Sequence, residues 1–189
     1  PETEVLARKL GARTVHTCWD ATLAPSQVPP DRPSKGTGPL KLIWVATLRP
    51  AKGLNFALEV LAKLPAQMQW SMDILGDGPV ASKIPGWLDR YGLQGRVNHL
   101  GAVPFSEIIS HYQEAHLLLF SSFRDNGGNQ LMEAMAHGCV PMALAQGGSP
   151  LLIKHGETGV IIPIESPDKM IESWADWIVR LDQDRELLD

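Results

Sequence analysis

The sequence contains few of the residues and patterns that mark disulfide-rich, metal-binding or membrane proteins. Only two cysteines occur in 189 residues, and Cys18 and Cys139 lie far apart beside apolar neighbours. This usage indicates reduced thiols in a cytoplasmic protein and argues against a disulfide framework or a cysteine-based zinc site. No apolar run approaches the ~20 residues that cross a bilayer, and the first residues lack the apolar core of a signal peptide. We therefore expect a soluble, cytoplasmic chain.

The chain has no large excess of positive or negative charge, and it lacks familiar catalytic motifs. Lys and Arg number 17 against 21 Asp and Glu, with a formal net charge of -4 and no block of like charge. Nothing in this balance predicts binding of nucleic acid or of an anionic membrane. Nucleophile-elbow, zinc-protease and Walker A motifs are missing, and the six histidines lack metal-ligand spacing. Asp182 and Asp184 form a D-x-D pattern, but in a polar terminal helix a solvent-facing role is favoured. We expect no metal, and a small-molecule or protein partner.

The chain divides into a linker-like first part and one larger domain. Residues 24–39 are so rich in Pro, Gly and Ser that they predict an exposed linker. We therefore divide the chain into an interdomain segment and linker at 1–39 and a single domain at 40–189, a size that one hydrophobic core can support. The chain begins with Pro1 and ends within an apparent helix. We expect it to be a segment of a longer protein.

From Leu40 onward, short apolar runs alternate with longer segments of helical period, among them residues 52–64 and 80–92. Continuous apolar strands that alternate with helices are typical of a parallel sheet covered on both faces. The prediction is a doubly wound, Rossmann-like α/β domain. Ligands of such sheets bind beyond the carboxyl ends of the strands, so the strand-to-helix loops are the expected site. These loops are residues 47–53, 76–79, 101–106, 121–128 and 146–150.

The stretch 123–138 combines a loop, two acids and a helix amino terminus. A helix that starts near Gly128 directs free N–H groups and partial positive charge towards the strand ends, which favours an anionic ligand. Gly127 and Gly128 allow a phosphate to approach the backbone, and Asn126 or Asn129 can cap the helix. Asp125 and Glu133 flank these positions. Alternatively, Glu133 belongs to a solvent-facing polar stripe of an amphipathic helix. That stripe contains Asn129, Gln130, Glu133 and His137.

Gly76, Gly78 and Ala81 allow an alternative interpretation of the binding site. They follow a predicted strand with the G-x-G-x-x-A spacing of a dinucleotide site, which would indicate an oxidoreductase domain. The acidic residue expected ~20 positions further on is missing. The dinucleotide interpretation is therefore the weaker one.

The segment "SSFRDNGGNQLMEAMAHGCVPMAL", residues 121–144, resembles the two-acid motif of the retaining GT-B glycosyltransferases of family 4. In that family the acids lie eight positions apart and run into L-E-A-M-A-x-G-x-P. The resemblance implies that Asp125 lies against the donor sugar and Glu133 binds the ribose hydroxyls. It also implies that backbone amides between them, at Asn126, Gly127, Gly128 and Asn129, hold the diphosphate.

Three further segments extend the resemblance over about residues 40–163. "VATLRPAKG" (45–53) matches the family's loop after the first strand, which makes Lys52 the cation for the donor diphosphate; Ala46 and Thr47 replace a glycine and an arginine of the family pattern. Arg49 or Arg124 can replace that missing cation. "GDGP" (76–79) and "RVNHLGAV" (96–103) match the turns beside the nucleobase, and "GGSPLLIKHGETGVIIP" (147–163) matches a glycine-rich segment in which Leu151 replaces a glutamate. The resemblance implies donor contacts at Thr47, Gly76, Gly78, His99, Leu100 and Val103. For His99 a plain surface role is an equal alternative.

The resemblance implies the donor-binding, carboxyl-terminal half of a GT-B enzyme of polysaccharide biosynthesis. Such an enzyme transfers a sugar with retention from a nucleotide-sugar, with UDP expected and GDP and ADP also used in the family. The acceptor, a sugar, a lipid-linked molecule or another compound, belongs to a missing amino-terminal half, and the whole protein can be peripheral at a membrane. No cofactor is implied beyond the donor substrate. We expect this half alone to bind donor weakly and to transfer nothing. The departures at Ala46, Thr47, Asp125 and Leu151 also allow a non-catalytic nucleotide-binding domain.

Overall fold

The computed structural model describes residues 2–15, 23, 28–29, 35–36, 38–125 and 128–188, without the side chains of residues 2–4. Cys18, Asn126 and Gly127, which the sequence analysis singled out, lie outside this description. The division of the chain at residue 39 stays a prediction. Within the described part, no helix is long and apolar enough to span a membrane.

Six parallel strands form one sheet in the order β3-β2-β1-β4-β5-β6. The strands are β1 (Leu40–Val45), β2 (Trp70–Leu75), β3 (Val97–Gly101), β4 (Leu117–Phe120), β5 (Val140–Leu144) and β6 (Val160–Ile162). The helices are α1 (Glu2–Lys9), α2 (Leu54–Leu61), α3 (Ile84–Tyr91), α4 (Phe105–Glu114), α5 (Asn129–Ala136), α6 (Ser149–Leu152) and α7 (Pro167–Gln183). The predicted doubly wound, Rossmann-like α/β fold is confirmed.

Both faces of the sheet are covered, which explains why the strands are continuous apolar runs. Successive side chains of a strand point to opposite faces. Accordingly, Leu42 and Trp44 of β1 join the core that includes residues of α2 and α7. Ile43, between them, joins the second core, to which α4 and α5 contribute Tyr112 and Leu131. All three β1 residues are at most 2% exposed.

Two predicted helices begin later than their periodicity suggests. The segment expected to be helical from residue 52 starts with a 3-10 turn, Pro50–Lys52, and α2 begins only after Gly53, whose φ is 70°. A residue in that left-handed conformation interrupts an α-helix. The segment expected to be helical from residue 80 starts with the 3-10 turn Ala81–Lys83, and α3 begins one residue before Pro85. Proline is tolerated in the first turn of a helix, where an N–H group would have no acceptor within the helix, and it disfavours helical conformation in the residue before it.

The strand order reverses between β1 and β4, which are neighbours in the sheet but not in sequence. Chain connections leave in opposite directions at this point, so a crevice opens outside the carboxyl ends of the two strands. The loops after β1 and β4 therefore face each other. They carry Lys52 and Asp125.

Candidate functional site

Lys52 and Asp125 meet in the crevice between β1 and β4. The Lys52 ammonium forms an ion pair with the Asp125 carboxylate, and the two side chains are only 23% and 17% exposed. Asp125 Oδ1 also accepts a hydrogen bond from the backbone N–H of Gly128 at 3.3 Å, directly before α5 begins. The structure thus places a cation, an acid and a helix amino terminus at one point.

A buried hydrogen-bond network joins the two loops that carry this pair. Ser121, which follows β4 and is 1% exposed, accepts a hydrogen bond from Trp44 Nε1 at 3.0 Å. Its hydroxyl lies 3.1 and 3.0 Å from the carbonyl oxygens of Lys52 and Gly53, to which it can donate. Phe123 N–H donates to the carbonyl of Ala51 at 2.8 Å. Because an unsatisfied buried polar group costs about 1–3 kcal/mol, the network strongly favours this arrangement of the loops. No sequence pattern described above predicts this role for Ser121 or Trp44.

Gly53 allows the closest approach of the two loops. Its φ of 70° is unfavourable for any residue with a Cβ atom. A Cβ atom there would also collide with the carbonyl oxygen of Ser121. The short distance between Lys52 and the β4 loop therefore depends on a glycine at this position.

Replacing Gly53 by alanine is expected to lower the free energy of unfolding by about 1–2 kcal/mol from backbone strain alone, with further loss from the collision. Thermal unfolding measures this change. Gly86→Ala is the matched control, since Gly86 lies in α3 with open space around it, and alanine in a helix raises stability by up to ~1 kcal/mol. Equal unfolding temperatures for the two variants would show that the loop contact is not tight.

The amino terminus of α5 is directed at the crevice. Gly128, the residue before the helix, has a φ of 65°, and no side chain caps the first turn at that position. The first N–H groups of an α-helix have no partner within the helix and carry partial positive charge. Asn129 at the start of the helix is exposed. This end of α5 is suited to an anion that approaches from the crevice.

Glu133 lies one turn into α5 and faces α4 instead of open solvent. It is partly buried, and its Oε2 accepts a hydrogen bond from the Tyr112 hydroxyl at 3.3 Å. Burial raises the pKa of the Glu133 carboxyl above its ordinary value, and the hydrogen bond from Tyr112 opposes that shift. His137, from the same polar stripe, is only 3% exposed. The interpretation of this stripe as a solvent-facing surface is therefore wrong for His137, whereas Glu133 is partly exposed and also contacts α4.

The two glycines of the "GDGP" turn allow its backbone to lie close to the backbone that follows β1. A Cβ atom on Gly76 would collide with the carbonyl of Ala46, and one on Gly78 would lie 2.7 Å from the carbonyl oxygen of Leu48. Leu48 in turn donates its N–H to Asp77 at 2.9 Å. The turn also follows β2, whereas a dinucleotide fingerprint follows the strand at the point where the order reverses. Both observations disfavour the oxidoreductase interpretation.

The residues expected beside a nucleobase lie on the β1–β2–β3 side of the crevice. The His99 ring Nε2 is 2.9 Å from the carbonyl oxygen of Gly76, which attaches the end of β3 to the "GDGP" turn. Leu100 is 43% exposed, while Val103 packs partly against the core beneath α4. Thr47 is exposed at the end of β1. Of these residues, His99 and Leu100 lie in β3, Val103 follows β3, and Thr47 follows β1. The Lys52–Asp125 pair lies instead between the loops after β1 and β4.

The positive charge of the crevice comes from side chains and a helix terminus. Within the described residues, Lys52 and the amino terminus of α5 lie at the crevice, and the loops after β1 and β4 also carry the exposed Arg49 and Arg124. No group of three or more His, Cys, Asp or Glu side chains in that part of the chain could hold a metal ion.

Comparison with curated proteins finds glycosyltransferases. The chain is 34% identical over 147 residues to D-inositol 3-phosphate glycosyltransferase of Corynebacterium diphtheriae, covering 74% of this chain and 34% of that protein. It is 27% identical over 166 residues to the phosphatidylinositol N-acetylglucosaminyltransferase gpi3 subunit of Schizosaccharomyces pombe, covering 87% of this chain and 36% of that protein. The chain thus spans about a third of the length of these relatives.

Solved structures show the same fold. Sucrose-phosphate synthase from Thermosynechococcus elongatus superposes with a TM-score of 0.79 at 20% identity, over 100% of this chain and 49% of that one. Anabaena HepE, solved in complex with UDP, superposes with a TM-score of 0.68 at 22% identity, over 79% of this chain and 41% of that one. The family described as glycosyl transferases group 1 matches residues 30–186. Because that match covers most of the sequence, the chain belongs to the group 1 glycosyl transferases.

Proposed function

We propose that this chain is the donor-binding half of a retaining GT-B glycosyltransferase of family 4, which transfers a sugar from a nucleotide-sugar, with UDP as the nucleotide. One observation carries the proposal: Lys52, Asp125 and the amino terminus of α5 converge where the strand order reverses. HepE, a neighbour in fold, has been solved with UDP-glucose. The chemistry of the crevice fits a ligand that is anionic at one end and rich in hydroxyls at the other.

The chemical role of the site is to stabilise the departing nucleoside diphosphate. As the glycosidic bond breaks, negative charge builds on the phosphate oxygen that leaves the sugar. Lys52 and the first backbone amides of α5, from Asn129 onward, supply positive charge and hydrogen-bond donors at that point. Preorganised groups of this kind often lower the activation barrier more than any other feature of an active site. Asn126 and Gly127 complete the proposed phosphate loop. No metal is required, because these groups provide the charge.

The two acids have separate roles in the proposal. Asp125 accepts hydrogen bonds from the donor sugar, and Glu133 accepts them from the ribose hydroxyls. A carboxylate suits adjacent hydroxyls because charge-assisted hydrogen bonds are about twice as strong as neutral ones. Thr47, His99, Leu100 and Val103 border the base, and Gly76 and Gly78 keep the neighbouring turn close to β1. Arg124, which adjoins Asp125 in the loop, is the candidate for the second phosphate cation that Thr47 does not supply.

The acceptor belongs to a second domain in this proposal. GT-B enzymes close two halves around the reacting groups, so this half alone binds donor weakly and transfers nothing. Residues 1–39 form the segment between the halves. The acceptor is a sugar, a lipid-linked molecule or another compound of polysaccharide biosynthesis, and the whole protein works in the cytoplasm, with peripheral membrane attachment where the acceptor requires it.

A non-catalytic nucleotide-binding domain is the second candidate. It is favoured by the ion pair, since Asp125 already neutralises the cation that a donor diphosphate needs. Thr47 and Leu151 also depart from the family pattern. A protein with both halves that binds UDP but neither transfers nor hydrolyses a UDP-sugar would support this candidate and contradict the enzyme.

Thermal unfolding with added nucleotides tests the proposed function. A ligand at 100 times its dissociation constant stabilises a protein by ~2.7 kcal/mol. We expect UDP to raise the unfolding temperature, GDP and ADP to do so less, and NAD not at all. A shift with NAD alone, or with none of the four, would contradict the proposal.

Replacing Glu133 by glutamine is expected to weaken UDP binding roughly tenfold, because a neutral amide binds hydroxyls less strongly than a carboxylate. Stability should stay the same or rise slightly, since burial raises the pKa of this carboxyl and so disfavours its charged form. Calorimetric titration and thermal unfolding measure the two effects. Glu172→Gln, at an exposed position of α7, is the matched control. A large loss of stability with unchanged affinity would show that Glu133 is structural.

A further inference from the structure

Tyr112 is a buried polar residue that no part of the family pattern described above involves. It lies on α4 and is 1% exposed, so its ring is enclosed by the core between the sheet, α4 and α5. Its hydroxyl donates to Glu133 Oε2 at 3.3 Å, from a position 21 residues away in sequence. The bond joins α4 to the helix that carries the proposed ribose ligand.

Tyr112 is held at its backbone and at its ring. The Lys35 ammonium donates to the Tyr112 carbonyl oxygen at 2.9 Å, near the last turn of α4, where a cation is favourable. The buried ring cannot change rotamer without disturbing a close-packed core. Burial and the adjacent Glu133 carboxylate raise the pKa of the hydroxyl, so it stays protonated and remains a donor. Tyr112 therefore offers Glu133 one hydrogen-bond donor at a fixed position.

A donor at a fixed position restrains the orientation of the Glu133 side chain. Its side chain has several rotatable bonds, and an unrestrained Glu loses rotamer freedom when it binds a ligand. It lines a narrow cleft between α4 and α5 whose other walls include Phe105, Ile108 and His137. A carboxylate oxygen has two acceptor sites, so Oε2 can accept from Tyr112 and still accept from a ligand.

We propose that Tyr112 is a positioning residue that holds the Glu133 carboxylate in the orientation that binds the ribose hydroxyls of the donor. This inference rests on the proposed function. Tyr112 does not touch the donor; it acts through Glu133. Without its hydroxyl the Glu133 side chain is free to adopt other rotamers, and ordering it on binding reduces affinity.

The test is a titration with UDP and with UDP that lacks both ribose hydroxyls (dideoxy-UDP). Tyr112→Phe keeps the ring and removes the hydroxyl. We expect this variant to bind UDP roughly three- to tenfold more weakly, the cost of ordering one flexible side chain, and to bind dideoxy-UDP as the parent does. Tyr91→Phe is the matched control, because the Tyr91 hydroxyl lies 3.4 Å from Asn55 Oδ1 and 3.5 Å from Glu59 Oε2, on the opposite face of the sheet. It should change neither affinity.

A double-mutant cycle separates positioning from simple stabilisation. In a Glu133→Ala background, Tyr112→Phe should have no further effect on UDP affinity, since residues that act through each other are not additive. Equal losses for UDP and dideoxy-UDP, additive effects in the cycle, or unchanged UDP affinity in a folded Tyr112→Phe variant would each overturn the inference while leaving the proposed function intact. A parent chain that does not distinguish the two nucleotides, or binds neither, would overturn both.

Discussion

Replacing Lys52 by alanine is expected to weaken UDP binding by roughly 10- to 100-fold, which corresponds to the loss of one charge-assisted hydrogen bond worth about 1.5–3 kcal/mol. Binding of uridine, which has no phosphate, should hardly change. The reason is the position of Lys52 at the point where the strand order reverses, opposite the amino terminus of α5. Calorimetric titration with the two ligands measures the difference.

Lys63→Ala is the matched control for this experiment. Lys63 is exposed just beyond the carboxyl end of α2, whereas Lys52 lies just before that helix begins. The control variant should bind UDP and uridine as the parent does. Similar losses for both ligands in Lys52→Ala would mean that Lys52 supports the fold, and no loss would remove it from the phosphate site.

Replacing Asp125 by alanine is expected to abolish the preference for a UDP-sugar over UDP, and to abolish transfer in a protein with both halves. Affinity for UDP itself should stay within a few-fold of the parent or increase. The structure explains this second expectation: a diphosphate that binds Lys52 must compete with the Asp125 carboxylate, which forms an ion pair with it. Removing the carboxylate also removes repulsion between two negative charges. Competition titration of UDP-glucose against UDP measures both effects.

Two further substitutions at Asp125 separate its roles. Asp125→Asn keeps an oxygen that can accept from Gly128 N–H but removes the charge opposite Lys52, so it should bind UDP like the alanine variant without loss of the hydrogen bond to Gly128. Asp125→Glu should retain partial transfer, because the acid is kept on a longer side chain. Asp176→Ala, on the exposed side of α7, is the neutral control. If the alanine variant keeps its sugar preference, Asp125 serves only as a counterion of Lys52 and an acceptor for Gly128 N–H, and other groups hold the sugar.

The order of strands and helices could be predicted because it depends on local patterns. A strand covered on both faces must be apolar throughout, as in Leu117–Phe120, and a helix that packs on a sheet must repeat apolar residues every three to four positions. Both patterns are contained in a few consecutive residues. The starts of α2 and α3 were less accurate, because Gly53 and Pro85 interrupt periodicities that continue on either side of them.

The candidate site was predictable only as a set of loops. The rule that ligands bind beyond the carboxyl ends of parallel strands selects the loops after β1 and β4. It does not show that Lys52 and Asp125, 73 positions apart, form an ion pair. Nor does it identify Ser121 and Trp44, which are 77 positions apart in sequence. Their hydrogen bond joins β1 to the loop after β4.

Glu133 shows most clearly where the sequence is insufficient. Helical periodicity placed it in one polar stripe with His137, and such a stripe is compatible with solvent or with a neighbouring helix. Only the packing of α4 against α5, which brings the Tyr112 hydroxyl to its carboxylate, decides between them. By itself the sequence determined the elements, their order and the loops that can bind a ligand, because hydrophobic pattern, glycine and proline act within a few residues. The tertiary structure decided which charges form ion pairs and which acids accept a hydrogen bond from a neighbouring helix. Both depend on contacts between segments that are distant in sequence.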